Sequence, residues 1–533
     1  MMPLSKLPVR RGVKCAALVV TLALLAQPCW PAALPGSDLS PPQTAGVPIP
    51  RGQVDKAVAK LDALARALLK RSGIPGMAVA VVKDGKTVYA KGFGIRKVGE
   101  TRLVDADTVF QIASLSKSIS ATVVARQVGA GVVKWNTPVV GHLPWFALAD
   151  DWVSKHVTIG DMFAHRSGLP DHSGDDLEDM GYDRRQVLER LRFAPLQPFR
   201  STYAYTNFGL TAAAEAVAAA SGTDWATLAE TVLYKPLGMA ATSSRFDDFI
   251  KQDNRAGGHV LVGGSYVPKY QRRPDAQSPA GGVSSTVRDL AKWMAMVLGQ
   301  GRYEGREIIA EDALLQAMTA QIVSTPSFAV DARASFYGYG FGVGVSPAGR
   351  VTLSHSGAFA LGAGTHYLMI PSAGVGIVIL TNAWPIGVAE TLGAEFADLV
   401  QFGAITRDWF PAYQRLLAPT TKPFGTLVGK AAPAGPAPAQ TLSAYAGVYA
   451  NDYYGDVVVE QSDRGLILKM GPSGVSYALD HWDGNEFVFK PSSENAPDGS
   501  ISAATFAIDG ATPARTLTIE LLNENGIGVF ARR

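Results

Sequence analysis

The chain has 533 residues, 47% of them hydrophobic and 18% charged, with a formal net charge of +3. This is globular composition with enough chain for a large core and a second domain. With no basic run beyond the N-terminus, it excludes a nucleic-acid-binding protein, which would need a clustered basic face.

Residues 1–33 read as a signal peptide. Arg10, Arg11 and Lys14 form a positive start, Ala16 to Ala26 is an apolar stretch too short to span a bilayer comfortably, and Ala32 and Ala33 supply small residues for cleavage. A periplasmic or secreted protein without a membrane span in its mature form is therefore expected. The Arg10-Arg11 pair leaves the Sec and twin-arginine routes both open. The only two cysteines, Cys15 and Cys29, fall within this leader. The mature protein is expected to lack disulfides, thiol nucleophiles and thiolate metal sites.

Residues 34–53 are rich in Pro, Ser and Gly and read as a mobile N-terminal segment. From Val54 the apolar residues Val58, Leu61, Leu64 and Leu68 recur at helical spacing. MAVAVVKDGKTVYAKGFG, Met77 to Gly94, places two β-branched runs around Asp84-Gly85, a strong hairpin signal. Helix followed by hairpin points to helices packed on an antiparallel sheet. A helix is predicted from Ser114 to about Arg126, and others over Leu210–Ala220 and Val287–Leu298. GYGFGVGV, Gly338 to Val345, and AGVGIVILTNA, Ala373 to Ala383, read as returning strands. Their glycines imply close backbone approach, since no phosphate-loop pattern is present.

The main domain is assigned to residues 54–425 and an Ala/Pro-rich linker, containing KAAPAGPAPAQ, to residues 426–441. Beyond it apolar and polar residues alternate between turn signals, so 442–533 is predicted to be a small all-β domain. Tyr453-Tyr454 and His481-Trp482 read as core or turn residues there.

The chemistry begins at FQIASLSKSISATVV, Phe110 to Val124. On a helix Ser114 and Lys117 share a face, so the lysine comes within reach of the serine oxygen. A serine needs a base to become a nucleophile, and a lysine can serve if burial keeps it neutral. A helix start also favours developing negative charge. An N-capping serine beside a surface lysine would give the same four letters. YAYTNFGL adds Tyr205, a potential proton shuttle, and Asn207, which can hold a substrate carbonyl or orient the lysine. LSHSGAFALGAG adds His355-Ser356-Gly357 in a predicted strand, with Gly357 allowing a substrate backbone close. His165 in AHRSG reads as a structural histidine. Asp171, His172, Asp175 and Asp176 read as a solvated loop rather than a metal site. No HExxH and no Gly-x-Ser-x-Gly is present, and neither a cofactor nor a metal is called for.

S-x-x-K, then Y-x-N, then a late [KH]-x-G resembles the serine β-lactamase and penicillin-binding protein superfamily, in particular its class C branch with the related D-aminopeptidases, D-peptidases and carboxylesterases. AHRSGLP, AGGVSSTVRDLAKW and GYGFG extend the resemblance over roughly Val54 to Val400. It implies an α+β fold, an antiparallel sheet flanked by helices with a helical lobe. It implies Ser114 as nucleophile, Lys117 as base, Tyr205 as proton shuttle, and Asn207, His355 and Gly357 as substrate-binding residues. The backbone N–H groups of Ser114 and Ala358 would form the oxyanion hole. His355 departs from the lysine usual in true β-lactamases, a fixed cation for a substrate carboxylate. The expected function is an exported serine hydrolase of small peptides or amides, with a D-residue on the acyl side as in linear non-ribosomal or cell-wall peptides. A carboxylesterase or weak β-lactamase, and a penicillin-binding sensor with little turnover, are the alternatives. The sequence says nothing of oligomeric state.

Overall fold

The computed structural model describes residues 47–510 and 513–533. The predicted leader, and most of the segment assigned to 34–53, lie outside the described residues.

Helix α1 (Gln53–Ser72) buries the stripe Val54, Ala57, Leu61, Ala65 and Leu68. It is followed by strands β1 (Gly76–Lys83) and β2 (Lys86–Gly94), joined by a two-residue turn in which Asp84 and Gly85 have φ of 50° and 73°. Both angles are positive, as a tight hairpin requires. Helices α2 (Leu115–Gly129), α3 (Asp175–Asp179), α4 (Asn207–Ala220) and α5 (Val287–Leu298) come next. Strands β3 (Ile322–Thr325), β4 (Ser335–Tyr337), β5 (Gly342–Val345), β6 (Val351–Phe359), β7 (Ala363–Ile370) and β8 (Val375–Thr381), then helix α6 (Val388–Phe402), complete the larger part.

The eight strands form one antiparallel sheet in the order β2-β1-β8-β7-β6-β5-β4-β3. Helices cover both faces. Met77, Val79 and Val81 join the core shared with α1 and α6, whereas Ala78, Ala80 and Val82 join the core shared with α2 and α5. This two-sided burial explains why β1 reads as an unbroken apolar run instead of alternating. GYGFGVGV departs from its prediction. Only Gly342–Val345 are in strand; residues 338–341 turn between β4 and β5, and Gly340 (φ 74°) packs on the Lys117 carbonyl of α2.

After a mostly exposed stretch over residues 430–440, eight strands form a closed antiparallel barrel. These are β9 (Gly447–Asn451), β10 (Gly455–Ser462), β11 (Gly465–Met470), β12 (Val475–Asp483), β13 (Glu486–Phe489), β14 (Ser502–Ala507), β15 (Thr516–Ile519) and β16 (Val529–Arg532). Alternate residues such as Leu466, Leu468 and Met470 fill its interior, and closure leaves no free edge. The barrel docks on the helical lobe. Tyr182 Oη donates to the Tyr454 carbonyl at 2.8 Å and Ser473 Oγ to that of Met180 at 2.7 Å. The fold is thus the expected α+β core followed by an all-β domain. Among the described residues no helix is long and apolar enough to cross a membrane.

Candidate active site

Ser114 stands at the N-cap of α2, yet its side chain makes no capping bond. The preceding residue, Ala113, has φ 49°, a conformation costly for a residue with a side chain. That turn is held by packing of Ala113 on Phe359 and Ala363. Lys117, one helical turn on, is fully buried. Its Nζ lies 3.1 Å from Ser114 Oγ, 2.6 Å from Asn207 Oδ1 and 3.0 Å from the Ala280 carbonyl. None of these partners is a carboxylate. Burial lowers the lysine pKa to about 7, against the more distant charge of Asp175, which raises it. A surface lysine could not be so affected.

Tyr205 Oη donates to Ser114 Oγ at 2.8 Å. Burial holds this phenol well above its usual pKa, so it stands as the protonated phenol and not as a phenolate. Thr206 is extended (φ −132°, ψ 123°) and Asn207 opens α4, which brings both flanking side chains onto the serine and lysine. The Asn207 amide is used at both ends: its oxygen accepts from Lys117, and its Nδ2 donates to Asp175 Oδ2 at 2.8 Å. Asp175 Oδ2 also meets His172 Nδ1 at 2.8 Å. Burial disfavours the charged imidazole of His172, but the bond to Asp175 and the charges of Asp175 and Asp171 prevail and raise its pKa to about 9. Asp175 is therefore not in a solvated loop. It is buried in the first turn of α3 and orients the amide that faces the lysine. Among the described residues no group of three or more His, Cys, Asp or Glu could hold a metal.

In β6 the pleat separates the third motif. His355 and Gly357 face the body of the protein, whereas Ser356 and Ala358 are exposed and line the cleft. His355 Nδ1 lies 2.6 Å from the Ser356 carbonyl and Nε2 lies 2.7 Å from Tyr337 Oη. This pattern assigns the proton to Nδ1. Burial, then the Lys117 charge, lower the His355 pKa to about 3. His355 is a neutral strut for Tyr337, with no hydrogen bond to Lys117 or Tyr205. A side chain on Gly357 would fall 3.0 Å from the Ser114 nitrogen, 2.6 Å from the Ile112 carbonyl and 2.3 Å from Thr365 Oγ1. The space that the glycine leaves is filled by the segment carrying Ser114, not reserved for a substrate. Ser356 Oγ, facing the cleft, is 3.0 Å from His366 Nδ1. His165 accepts the Thr206 N–H at 3.2 Å, a structural contact.

The cleft over Ser114 has a volume of about 970 Å³. Its walls include Tyr205, Asn207, Ser356 and Ala358 from the larger part, Phe424 from the connecting segment, and Tyr453, Tyr454, Glu494 and Glu524 from the barrel. Tyr453 and Tyr454 do stand in a turn, between β9 and β10, but from there they face the cleft.

A family model described as Beta-lactamase matches residues 61–401. The chain belongs to the beta-lactamase family. A second model, a domain of unknown function (DUF3471), matches residues 431–525 of this family member. The Unguisins hydrolase ungD' of Aspergillus campestris is 30% identical over 331 residues, 59% of this chain and 59% of that protein. The D-alanyl-D-alanine-carboxypeptidase/endopeptidase AmpH of Escherichia coli is 25% identical, over 62% of this chain and 85% of its own. An octameric penicillin-binding protein homologue from Pyrococcus abyssi aligns with a TM-score of 0.57 at 19% identity, over 87% of this chain and 98% of that one. That likeness carries the fold.

Within this beta-lactamase-family chain, Ser114, Lys117, Tyr205 and Asn207 converge in space, and Gly357 and Ala358 lie against them. His355 does not reach the cleft. Two residues were invisible to the sequence reading, Tyr337 and Glu494, and Asp175 was read there only as part of a solvated loop. For Ser356 a signal existed, because strand alternation puts it on the face opposite His355.

Proposed function

We propose that the chain is an exported serine hydrolase that cleaves amide or peptide bonds through an acyl-enzyme on Ser114. The observation that carries this is the buried Lys117, 3.1 Å from Ser114 Oγ, hydrogen-bonded to neutral groups and held near a pKa of about 7. In its neutral form it accepts the serine proton as Oγ attacks the substrate carbonyl. The N–H groups of Ser114 and Ala358 take the oxyanion. Tyr205, already donating to Oγ, relays a proton to the leaving amine and is reprotonated from Lys117. Water then repeats the sequence on the ester and frees Ser114.

The preference for amides rests on the third motif. A substrate carboxylate would want a fixed cation at the third motif, and His355 is neutral and turned away. Of the cations lining the cleft, Arg272 is paired with Glu178 and His172 with Asp175, and Lys422 lies on the connecting segment. These features favour amides and peptides over penicillins; a D-residue on the acyl side is suggested by the family resemblance alone. The names of two relatives, a hydrolase and a carboxypeptidase/endopeptidase, support the class. The match spans only 59% of the first relative's length, so its activity as a whole is not carried over. Export rests on the Arg10 to Ala33 segment.

The test is intact-mass labelling with a fluorophosphonate, followed by product counts on D-amino-acid amides, an ester and a penicillin. Label on the wild type, none on Ser114→Ala, and many equivalents of amide product are expected. Label on Ser114→Ala, or a single equivalent of product, would overturn the proposal.

A further inference from the structure

One segment of the barrel leaves its own domain. The chain between β13 and β14, residues 490–501, runs along the larger part, and Glu494 and Asn495 from it line the cleft. Glu494 Oε1 accepts the Ala360 N–H at 2.6 Å and Oε2 accepts the Leu361 N–H at 3.3 Å. These two amides form the turn that follows β6 and precedes β7. Two residues before that pair is Ala358, which the reading above makes the second oxyanion donor. The same carboxylate lies 4.0 Å from Arg272 Nε. Arg272 sits 5.5 Å over the Phe359 ring, and Phe359 packs on Ala113, next to Ser114. The Arg272 carbonyl accepts Gln111 Nε2 at 2.9 Å, on the strand leading to the nucleophile. One side chain of the barrel thus braces both sides of the oxyanion hole.

We propose that Glu494 is a positioning residue for acyl transfer: by holding the 360–362 turn and Arg272 it fixes the Ala358 N–H against Ser114, so the barrel is a working part of the site. The inference rests on the proposed acyl-enzyme chemistry. Every sequence motif precedes the barrel, yet this contact brings a barrel side chain to the turn beside Ala358. A backbone turn next to a donor has to be held to within a fraction of an ångström for that donor to act. Burial raises the Glu494 pKa to about 7, against the opposing charge of Arg272. Two adjacent N–H groups on one carboxylate cannot be matched by a neutral amide, which offers one acceptor oxygen.

The test compares full-length wild type, Glu494→Ala, Glu494→Gln and Asp498→Ala. Asp498 holds the same loop, through Lys269 and Tyr270, and touches neither the turn nor Arg272. Three quantities are read: kcat and KM for an activated ester, and Ki for an arylboronic acid, whose tetrahedral adduct on Ser114 places an oxygen in the oxyanion hole. For Glu494→Ala the expected result is a fall in kcat of about tenfold to a hundredfold with KM nearly unchanged, and a rise in Ki by the same factor. Glu494→Gln falls between, and Asp498→Ala behaves as wild type. A merely structural role would not make Ki follow kcat. Wild-type kcat and Ki in both Glu494 variants, or an equal loss in Asp498→Ala, would overturn the proposal alone. A wild type that takes no label at Ser114 overturns it together with the acyl-enzyme reading.

Discussion

Asn207 turns the oxygen of its amide, not the nitrogen, toward Lys117, at 2.6 Å. The choice is made on the far side of the amide, where Asp175 accepts the nitrogen at 2.8 Å. A flipped amide would set N–H groups against the amine and an oxygen against a carboxylate.

Asp175→Ala removes that lock. The expected loss of kcat/KM is about tenfold to a hundredfold, with a loss of stability of about 1–3 kcal/mol as Asn207 and His172 lose their buried partner. The Asp175 charge raises the lysine pKa, so its removal lowers that pKa further. The acid limb of the pH–rate profile should therefore move to lower pH even as the rate falls. Stopped-flow acylation of an ester across pH 5 to 9 reads both, and a limb that moves upward would contradict the assignment.

The wild-type profile carries its own sign. Lys117 must be neutral to accept the serine proton, and its pKa is about 7. kcat/KM is expected to rise with pH through that value and then level off. Asn207→Asp places a carboxylate where the amide oxygen now meets Nζ, which favours the ammonium form. The limb should then shift upward by about one to three units. His355 cannot supply the limb, since it is already neutral above about 3.

The reach of the sequence reading follows the range of each contact. Ser114 and Lys117 are one helical turn apart, and Tyr205 and Asn207 flank one extended residue, so spacing alone suggested that each pair acts together. The sheet, its hairpin and the all-β character of the last domain, though not its closure into a barrel, were legible for the same reason: their patterns repeat every two residues or close on a two-residue turn. Asp175 meets Asn207 across 32 residues and Glu494 meets Ala360 across 134. No local pattern marks such partners, and an acidic Asp-Asp pair after Gly174 looks like any solvated loop. His355 shows the opposite fault. The motif drew attention to its residue type, whereas the strand's period of two sends it to the face away from Ser356 and Ala358.

Gly357→Ala tests how tightly β6 and the nucleophile segment are packed. The added carbon would lie 3.0 Å from the Ser114 nitrogen and closer still to the Ile112 carbonyl and Thr365 Oγ1. Two of these three are backbone atoms and cannot swing aside. The strand must retreat, taking Ala358 with it. A loss of at least about a hundredfold in acylation rate is expected while the circular dichroism spectrum stays native. Thr365→Ser, which keeps the hydroxyl bond to Ile112, should remain close to wild type. Rapid labelling of Gly357→Ala would show that the strand does not set the oxyanion geometry.

His355 separates a structural histidine from one that reads the substrate. Both of its nitrogens are engaged, Nε2 by Tyr337 at 2.7 Å and Nδ1 by a carbonyl at 2.6 Å, and the ring is buried. A residue in that position can alter the site only through what it supports. His355→Ala leaves the Tyr337 hydroxyl without its partner, so the fold should lose about 1–3 kcal/mol. kcat/KM for a peptide amide, an ester and a penicillin should all fall by one common factor, less than about tenfold, leaving their ratios unchanged. Ser356→Ala should do the reverse, because that hydroxyl faces the cleft: little change in melting temperature, but altered ratios among the three substrates. Measuring the three substrates on wild type and both variants decides between the neighbours. Ratios that move with His355 and not with Ser356 would mean that the imidazole turns toward the cleft when substrate binds.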